Sequence, residues 1–319
     1  MKIQNLISNF RTDTQWLNRI VFLTLGAVVL VVVSFGGYYY WDRYVHLGDP
    51  SPIALGVAAL EEKVRENPQD PEVRVALAQY YYENGVYDKA ITQAQQVLEN
   101  YPKHEGALFV LGLAYTGSGQ AEAALEPLEQ FVAIRREADM ASTDSVLETA
   151  LYFLGASYVE LDRPPEAIAI LSEALEINRI DADAMYQLGL AYAMDEQPEL
   201  ALEQFHNAVR FVPDFIEAYS AMAESYRMLS MPSHVDYARG MEAFAQGDYA
   251  QARKYLEKAV ENLPDFGPAL VGMGLTYESL GDLQSAQTNL EQALMLEPDN
   301  FMASHALARV QMSLNDNQP

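Results

Sequence analysis

Residues 265–299 read DFGPALVGMGLTYESLGDLQSAQTNLEQALMLEPD, and the spacing of small and apolar residues in this stretch recurs along most of the chain. Counted from Gly267, positions 4, 7, 8 and 11 lie on one face of a helix with a 3.6-residue period, and positions 20, 24 and 27 lie on one face of a second helix. Small residues at positions 8 and 20 allow the two backbones to approach closely. Gly281 and Pro298 end the two helices. The stretch therefore predicts a closely packed helix pair.

Copies of this helix pair occur on both sides of the middle of the chain. Complete units start at residues 71, 105, 148, 182, 233 and 267, and three pairs of these starts lie 34 residues apart. One helix pair cannot bury its own apolar face, so each unit must stack on its neighbours.

The repeated unit resembles the tetratricopeptide repeat (TPR). This resemblance implies an all-α fold, a right-handed α-solenoid of stacked TPR helix pairs, and a role in holding other proteins. An apolar segment near the N-terminus adds the expectation that one transmembrane helix precedes the solenoid.

That apolar segment, residues 20–40, reads IVFLTLGAVVLVVVSFGGYYY and carries no charge. As a helix it would span roughly 31 Å, which matches the hydrocarbon core of a bilayer. Amphipathic rings and a basic residue at its two ends are typical of membrane-water interfaces. The predicted interface anchors are Arg19, Tyr38, Tyr39, Tyr40 and Trp41. A cleaved signal peptide, suggested by Ser34 and Gly36, and a buried core helix are the alternatives.

Basic residues near this segment set the expected orientation. Three of them precede the apolar run, whereas Arg43, in the short stretch that follows it, lies beside Asp42. The positive-inside rule then places the N-terminus in the cytoplasm. We expect a single-pass membrane protein, in a bacterial cell membrane, whose TPR array is periplasmic or extracellular.

The 34-residue period breaks twice. Nine extra residues fall near 135–145, which predicts a longer loop or an extra helical turn, or alternatively a partner-binding excursion. Ser145 with Glu148 is a candidate capping box there. A first helix starts at residue 216, but the next unit starts only 17 residues later, so one helix is missing from the pattern. We expect a bend or two sub-arrays near residue 232.

These boundaries predict the layout of the whole chain. It comprises a cytoplasmic segment over 1–19, a transmembrane helix over 20–41, a spacer over 42–52, a TPR array over 53–231 (a capping helix, four full repeats and a partial one), a second TPR block with a C-terminal capping helix over 232–315, and a tail over 316–319.

The TPR resemblance also implies a ligand groove, which this family lines with first-helix positions 2, 5, 9, 12 and 13. Here these positions hold mainly aromatic and aliphatic residues. The candidate groove residues are Val75, Gln79, Tyr82, Phe109, Leu113, Tyr152, Tyr186, Leu190, Tyr237 and Met241. They depart from the cationic clamp that chaperone-binding members use, so an extended or helical apolar peptide suits the groove better. Alternatively, these side chains pack against their neighbours and only close the superhelix.

Composition and charge exclude several function classes. The chain has 319 residues, no cysteine and a formal net charge of −25. Its negative field repels phosphate backbones, which disfavours nucleic-acid binding. Without cysteine there is neither a disulfide nor a thiolate metal site. Acidic clusters such as Glu61 and Glu62 either dock a basic partner or form a solvated helix face.

No catalytic, cofactor or metal motif is recognisable in the sequence. The five histidines are far apart and none belongs to an HExxH motif, and no acidic run has calcium-loop spacing. His104 and His206 are predicted to be surface residues. We therefore expect neither an enzyme nor a cofactor, and no small-molecule substrate.

Taken in this order, the observations predict a non-catalytic, membrane-anchored TPR scaffold for protein-protein interaction, acting as subunit or assembly factor of a membrane complex. The alternative is a chaperone-like binder of exported or unfolded polypeptides associated with the translocon. The expected partners are membrane-complex subunits or apolar peptide segments, together with the lipid bilayer through residues 20–41.

Overall fold

The computed structural model describes residues 14–40, 51–138 and 140–316. Within these ranges the regular structure is helical, without strands. The chain divides into two compact units, Met1–Arg65 and Glu66–Pro319.

The helices within residues 52–316 follow one another through short connections. In chain order the described helices are α1 (Thr14–Tyr40), α2 (Pro52–Glu66), α3 (Pro71–Glu83), α4 (Tyr87–Leu98), α5 (Glu105–Gly117), α6 (Ala121–Arg136), α7 (Ser145–Glu160), α8 (Pro164–Ile177), α9 (Ala182–Met194), α10 (Pro198–Phe211), α11 (Ile216–Met228), α12 (Pro232–Ala245), α13 (Tyr249–Asn262), α14 (Gly267–Leu280), α15 (Leu283–Leu296) and α16 (Phe301–Asp316).

Helix α1 corrects the expectation of a membrane anchor. Among the residues that the structure describes, no helix is both long and apolar enough to cross a membrane. The prediction of a transmembrane helix over 20–41 is therefore wrong, and so is the periplasmic or extracellular single-pass placement that depended on it.

The same finding leaves the predicted bilayer contact through residues 20–41 without support, while the predicted interface anchors stay a prediction. Tyr38, Tyr39 and Tyr40 are exposed on α1. Trp41 and the side chain of Arg19 lie outside the described residues, as do the predicted N-terminal segment up to residue 13, most of the spacer and residues 317–319.

In the second unit, the helix pairs pack as the repeat spacing predicts. The glycine at position 8 of a first helix faces the large apolar residue at position 24 of the following helix. A Cβ atom built on such a glycine would lie 2.4 to 2.6 Å from the facing side chain. The pairs are Gly112 and Leu128, Gly155 and Leu171, Gly189 and Phe205, Gly240 and Leu256, and Gly274 and Leu290. The requirement for small residues at position 8 is confirmed, and these contacts fix the spacing of the helices.

The nine extra residues are largely taken up by helix. Both α6 and α7 are longer than the neighbouring helices, and a short 3₁₀ turn over Ala141–Thr143 joins them. The expected extra helical turn is confirmed. The expected capping box is wrong, because Asp144 rather than Ser145 caps α7: its Oδ1 accepts a hydrogen bond of 2.9 Å from the backbone N–H of Val146. Glu148 is buried instead of capping the helix.

At the second break in the period, one helix serves two repeats. Helix α12 packs on α11 as its second helix and on α13 as the first helix of the unit from residue 233. One cluster of buried residues runs across residue 232 and includes Met222 on α11 and Tyr237 on α12. We call the α11-α12 region the join. The core is continuous through it.

Candidate polypeptide-binding groove

Four of the ten predicted groove residues lie in the hydrophobic core. Val75, Leu113, Tyr237 and Met241 are each at most 8% exposed. They pack against neighbouring helices and present little surface on the groove face, meaning the side of the first helices that carries positions 5 and 9. These four side chains therefore pack against their neighbours, which was the alternative to a ligand groove. Their part in peptide binding stays a prediction.

Aromatic residues at position 5 form half-buried ring contacts on the groove face. The ring of Phe109 lies 4.9 Å from that of Phe131. Tyr186 lies 5.0 Å from Phe215, which begins the next repeat. Tyr152 stands in the same repeat position as Tyr186 and is also half-buried. These rings keep part of their surface open to a ligand.

The remaining predicted groove residues are more scattered. Tyr82 is half-buried, with its ring 6.0 Å from that of Tyr87. Gln79 is exposed, and its Nε2 donates a 2.9 Å hydrogen bond to Glu83 of the same helix. Leu190 is half-buried against the core. The N-terminal repeats thus offer a polar edge, while the aromatic surface lies further along.

Burial and nearby carboxylates change the acidity of the position-5 tyrosines. Burial raises the pKa of the Tyr152 hydroxyl, and the negative charges of Asp183 and Asp181 raise it further. Burial also raises the pKa of Tyr186, and Glu217 adds to that shift. Both hydroxyls therefore remain protonated hydrogen-bond donors at neutral pH.

A cavity of about 760 Å³ opens on the groove face near the C-terminal end of the array. It lies between α10, α11, α12, α14 and the turn that joins α15 to α16. Its lining consists of His206, Val209, Arg210, Tyr219, Tyr237, Met241, Pro268, Val271, Gly272, Glu297, Pro298, Asp299, Asn300, Phe301 and Met302. Two of the predicted groove residues, Tyr237 and Met241, are thereby brought into one site.

The cavity has apolar walls and a charged rim. Met241 and Val271 are buried within the walls. Arg210 and Glu297 are exposed at the rim, where Glu297 Oε2 accepts a hydrogen bond of 2.9 Å from Asn300 Nδ2. Phe301 is 74% exposed at the edge of the cavity. Such a site can take in a large apolar side chain and contact the polar backbone around it.

A row of rings crosses the join beside this cavity. His206 Nε2 lies 2.9 Å from Tyr226 Oη. The ring of Tyr226 lies 5.1 Å from that of His234, which in turn lies 5.0 Å from Phe266. Tyr237 meets Phe266 edge-on at 5.0 Å. These contacts tie α10, α11 and α12 to the start of α14.

The two histidines that were predicted to be surface residues behave differently. His104 caps the start of α5, with its Nδ1 accepting from the backbone N–H of Ala107, so it lies at a helix end as expected, but its side chain is half-buried rather than at the surface. His206 is half-buried and bonded to Tyr226, which corrects its prediction. Burial lowers the pKa of His206, and neighbouring His234 lowers it further. The same contact recurs in other repeats, where Gln95 bonds Tyr115 and Glu257 bonds Tyr277 across 20 residues, so the repeat spacing was the signal for this partner.

No set of three or more histidine, aspartate or glutamate side chains is arranged to hold a metal ion within the part of the chain that the structure describes.

Family models for the tetratricopeptide repeat match the chain over residues 54–102, 75–139, 150–214, 217–265 and 243–288. The chain belongs to the tetratricopeptide repeat family. The matches extend across the join, so the TPR pattern is recognised even where one helix serves two repeats. TPR proteins of this fold are scaffolds for protein-protein interaction, and this chain is such a scaffold.

Two curated relatives cover most of the TPR array. BBSome complex member BBS4 of Bos taurus is 25% identical over 82% of this chain and 46% of its own length. The mitochondrial import receptor subunit TOM70 of Homo sapiens is 23% identical over 70% of this chain and 34% of its own length. The chain thus spans less than half the length of these relatives.

Solved structures also resemble the TPR array. The crystal structure of MamA protein is 27% identical, with a TM-score of 0.46, over 61% of this chain and 92% of that chain.

Proposed function

We propose that this TPR protein is a subunit or assembly factor of a protein complex, in which it holds a segment of a fixed partner along its groove face. The observation that carries the proposal is the 760 Å³ cavity at the join. A cavity of several hundred cubic ångströms with mostly apolar walls is typical of a ligand site. Here it lies on the face that TPR proteins use for peptides, so a large apolar side chain of the partner is the natural occupant.

The relatives support a role in a complex. BBS4 is described as a member of the BBSome complex, and its similarity to this chain extends over most of the TPR array. At 25% identity the likeness supports a shared mode of use, an array that contacts other subunits, without naming the partner of this chain.

A chaperone-like binder of unfolded polypeptides is the second candidate. The half-buried rings of Phe109, Tyr152 and Tyr186 favour it, because a row of partly open aromatic surface can receive many apolar sequences. TOM70, described as an import receptor subunit, has a similar array. Such a binder would hold many polypeptides weakly rather than one at constant ratio.

Site-specific crosslinking of the full-length chain tests the proposal. A photoreactive phenylalanine analogue at position 301 would lie at the edge of the cavity, and the same analogue at Met295 serves as the control. Met295 is 79% exposed and does not line the cavity. Quantitative mass spectrometry of the native cells' crosslinked products should give one partner, or a few, at fixed stoichiometry from position 301 alone.

The same positions provide matched truncations. Phe301→Ala should reduce recovery of the partner, whereas Met295→Ala should not, since both side chains are exposed and their removal leaves the core intact. Equal crosslinking at both positions would show that the partner does not bind at the cavity. A broad, substoichiometric set of products that is lost on combining Tyr152→Ala with Tyr186→Ala would establish the chaperone-like binder instead.

A further inference from the structure

The middle of the groove face carries carboxylates beside an aromatic ring. Glu148 lies on the first turn of α7, and Tyr152 follows one turn later on the same helix. Asp181 caps the start of the next first helix, α9, with Oδ1 accepting from the backbone N–H of Ala184 at 3.0 Å. Asp183 follows in the first turn of α9. Two consecutive first helices therefore bring these groups together.

Glu148 is the unusual member of this cluster. It is only 7% exposed, and within the described residues its Oε1 has no hydrogen-bond partner although the atom is buried. The carboxyl group of Asp181, at the start of the next repeat, faces that of Glu148. A buried carboxylate that faces a second carboxylate, without a cation, is costly unless one of them takes up a proton. The cluster has the electrostatics of a site that is short of one positive charge.

The basic side chains of this region form ion pairs with carboxylates outside the cluster. Arg135 bonds Asp144, with 2.8 Å between its Nε and Oδ2, and also pairs with Glu105. Arg136 pairs with Glu173.

The next two basic residues along the chain do not compensate the cluster either. Arg163 pairs with Glu166, three residues along the chain. Arg179 is exposed in the turn before α9 and forms no ion pair with these carboxylates in the described structure. The missing charge is therefore not supplied by the described residues of this unit.

We propose that Asp181, Asp183 and Tyr152 form a subsite for the guanidinium group of an arginine in the bound polypeptide. The inference rests on the proposed function, because it names a residue type in the segment that the groove holds. Asp183 is exposed and Tyr152 is half-buried, so a side chain can reach both. A guanidinium group can stack on the tyrosine ring while its N–H groups bond a carboxylate.

The carboxylates of Asp181 and Asp183 also disfavour an anionic ligand group. A terminal carboxylate or a phosphate would approach Asp181 and Asp183 against their negative charges, and no basic side chain of the cluster would attract it. The formal charge of −25 on the whole chain favours a cationic segment in the same way.

Binding of a cation changes the protonation of Glu148. Burial raises the pKa of Glu148 to about 7, and the hydrogen bond and negative charge of Asp181 contribute to that shift. Asp181 is the titratable group that faces Glu148, Asp183 and Tyr152 lie beside Asp181, and none of the three is cationic. A guanidinium group bound beside Asp181 lowers the pKa of Glu148 again, so binding near pH 7 releases a proton from it.

The probe for the experiment is Nα-acetylargininamide, with the neutral isostere Nα-acetylcitrullinamide as its matched control. The full-length chain carries ¹³C-labelled tyrosine, and the Tyr152 resonance, assigned with Tyr152→Phe, is followed by NMR. We expect saturable shifts with the arginine derivative at roughly millimolar concentration. The citrulline derivative should bind about tenfold more weakly or not at all, because it lacks the charge.

Charge-neutral variants locate the subsite. Asp183→Asn should weaken the arginine derivative about fivefold, whereas Glu199→Gln, on the exposed first turn of the second helix α10, should leave its binding unchanged. Glu148→Gln keeps the shape of the side chain and should abolish the proton release, measured in buffers of different ionisation enthalpy.

Two results would overturn the proposal. One is equal binding of the arginine and citrulline derivatives, and the other is an equal effect of Asp183→Asn and Glu199→Gln. Proton release that persists in Glu148→Gln would contradict the claim that the released proton comes from Glu148. The crosslinking at position 301 reports on the cavity at the join, so failure of the arginine subsite and failure of the proposed function are distinguishable.

Discussion

The middle of the array and its join are built from the same kind of helix pair, yet they pack differently. In the middle, Gly155 allows α7 to close on Leu171 of α8, and Leu171 is fully buried. At the join, α12 packs on both α11 and α13, and the 760 Å³ cavity opens beside Tyr237 and Met241 on that helix. Protein interiors leave few voids where side chains interdigitate. The cavity thus lies beside the one helix that completes two repeats.

The two regions also carry opposite kinds of titratable group. The middle holds Glu148, a buried acid with a raised pKa, and the join holds His206, a half-buried base with a lowered pKa. Burial favours the neutral form of both groups, because it disfavours charge. They respond to pH in opposite directions, which allows each region to be followed in the same unfolding experiment.

The largest difference is expected from truncating position 24 in each region. Leu171→Ala should cost about 3 to 5 kcal/mol of unfolding free energy, because the closely packed middle cannot collapse around the space. Leu256→Ala should cost less, about 2 to 3 kcal/mol, since Met241 and the cavity lie next to it. Urea unfolding measures both.

A partly exposed leucine provides the control for these truncations. Leu200→Ala, at 39% exposure, should change the unfolding free energy by less than about 1 kcal/mol. If Leu256→Ala costs as much as Leu171→Ala, the join is packed as closely as the middle and the comparison fails.

Adding a methyl group gives the next largest effect. Gly155→Ala would place Cβ 2.4 Å from Leu171 Cγ, so α7 and α8 must separate, at a cost of about 1 to 3 kcal/mol. Gly106→Ala is the matched variant, because its Cβ would lie 3.1 Å from Val75 Cγ1 and at ordinary contact distance, 3.6 Å, from His104 Cε1. There the higher helix propensity of alanine should roughly offset the contact. Thermal unfolding of both variants measures the difference, and equal loss of stability would mean that position 8 has no special role.

The sequence could predict the helix pairs because their packing depends on spacing within one repeat. Positions 8 and 24, which are Gly155 and Leu171 in the unit from residue 148, are 16 residues apart in every full copy. Each glycine at position 8 lies against the side chain at position 24. The burial of Glu148 could not be read in this way, because it depends on Asp181 at the start of the next repeat. The cap of α7 at Asp144 could not be read from the repeat either, because α7 contains an extra turn that the 34-residue period lacks.

The cavity was also beyond the sequence pattern. Tyr237 and Met241 were predicted groove residues, but their neighbours Pro298, Asn300 and Phe301 come from the turn before α16, which lies outside the repeat positions that line a groove. The spacing at residue 232 indicated that a helix was missing, and it did not indicate that α12 would fill both roles. Bringing these residues together is a property of the stacked array rather than of any one unit.

The acid in the middle of the array should make stability fall as pH rises. The pKa of Glu148 is raised from 4.5 to about 7 in the folded chain. Protonated Glu148 therefore contributes its full share to the free energy of unfolding below pH 4.5, and this share is lost as pH rises through about 7. Glu148→Gln should therefore raise the urea midpoint at pH 8 and change it little at pH 4.5. Glu173→Gln, which removes an exposed ion pair with Arg136, should not reproduce this pH dependence. An unchanged midpoint at pH 8 would show that Glu148 is solvated in the folded chain.

The smallest effect is expected at the join, with the opposite sign. The pKa values of His206 and His234 are lowered from 6.5 by burial. Because the unfolded chain takes up these protons first, stability that is present above pH 6.5 is lost as pH falls through the folded pKa values. His206→Gln retains a partner for Tyr226 Oη and should flatten the decline between pH 7 and pH 5 in urea unfolding. His305→Gln, at an exposed position on α16, should leave it unchanged. If the two variants decline equally, the acid response does not originate at His206, and the join and the middle no longer differ in the titrations that distinguish them.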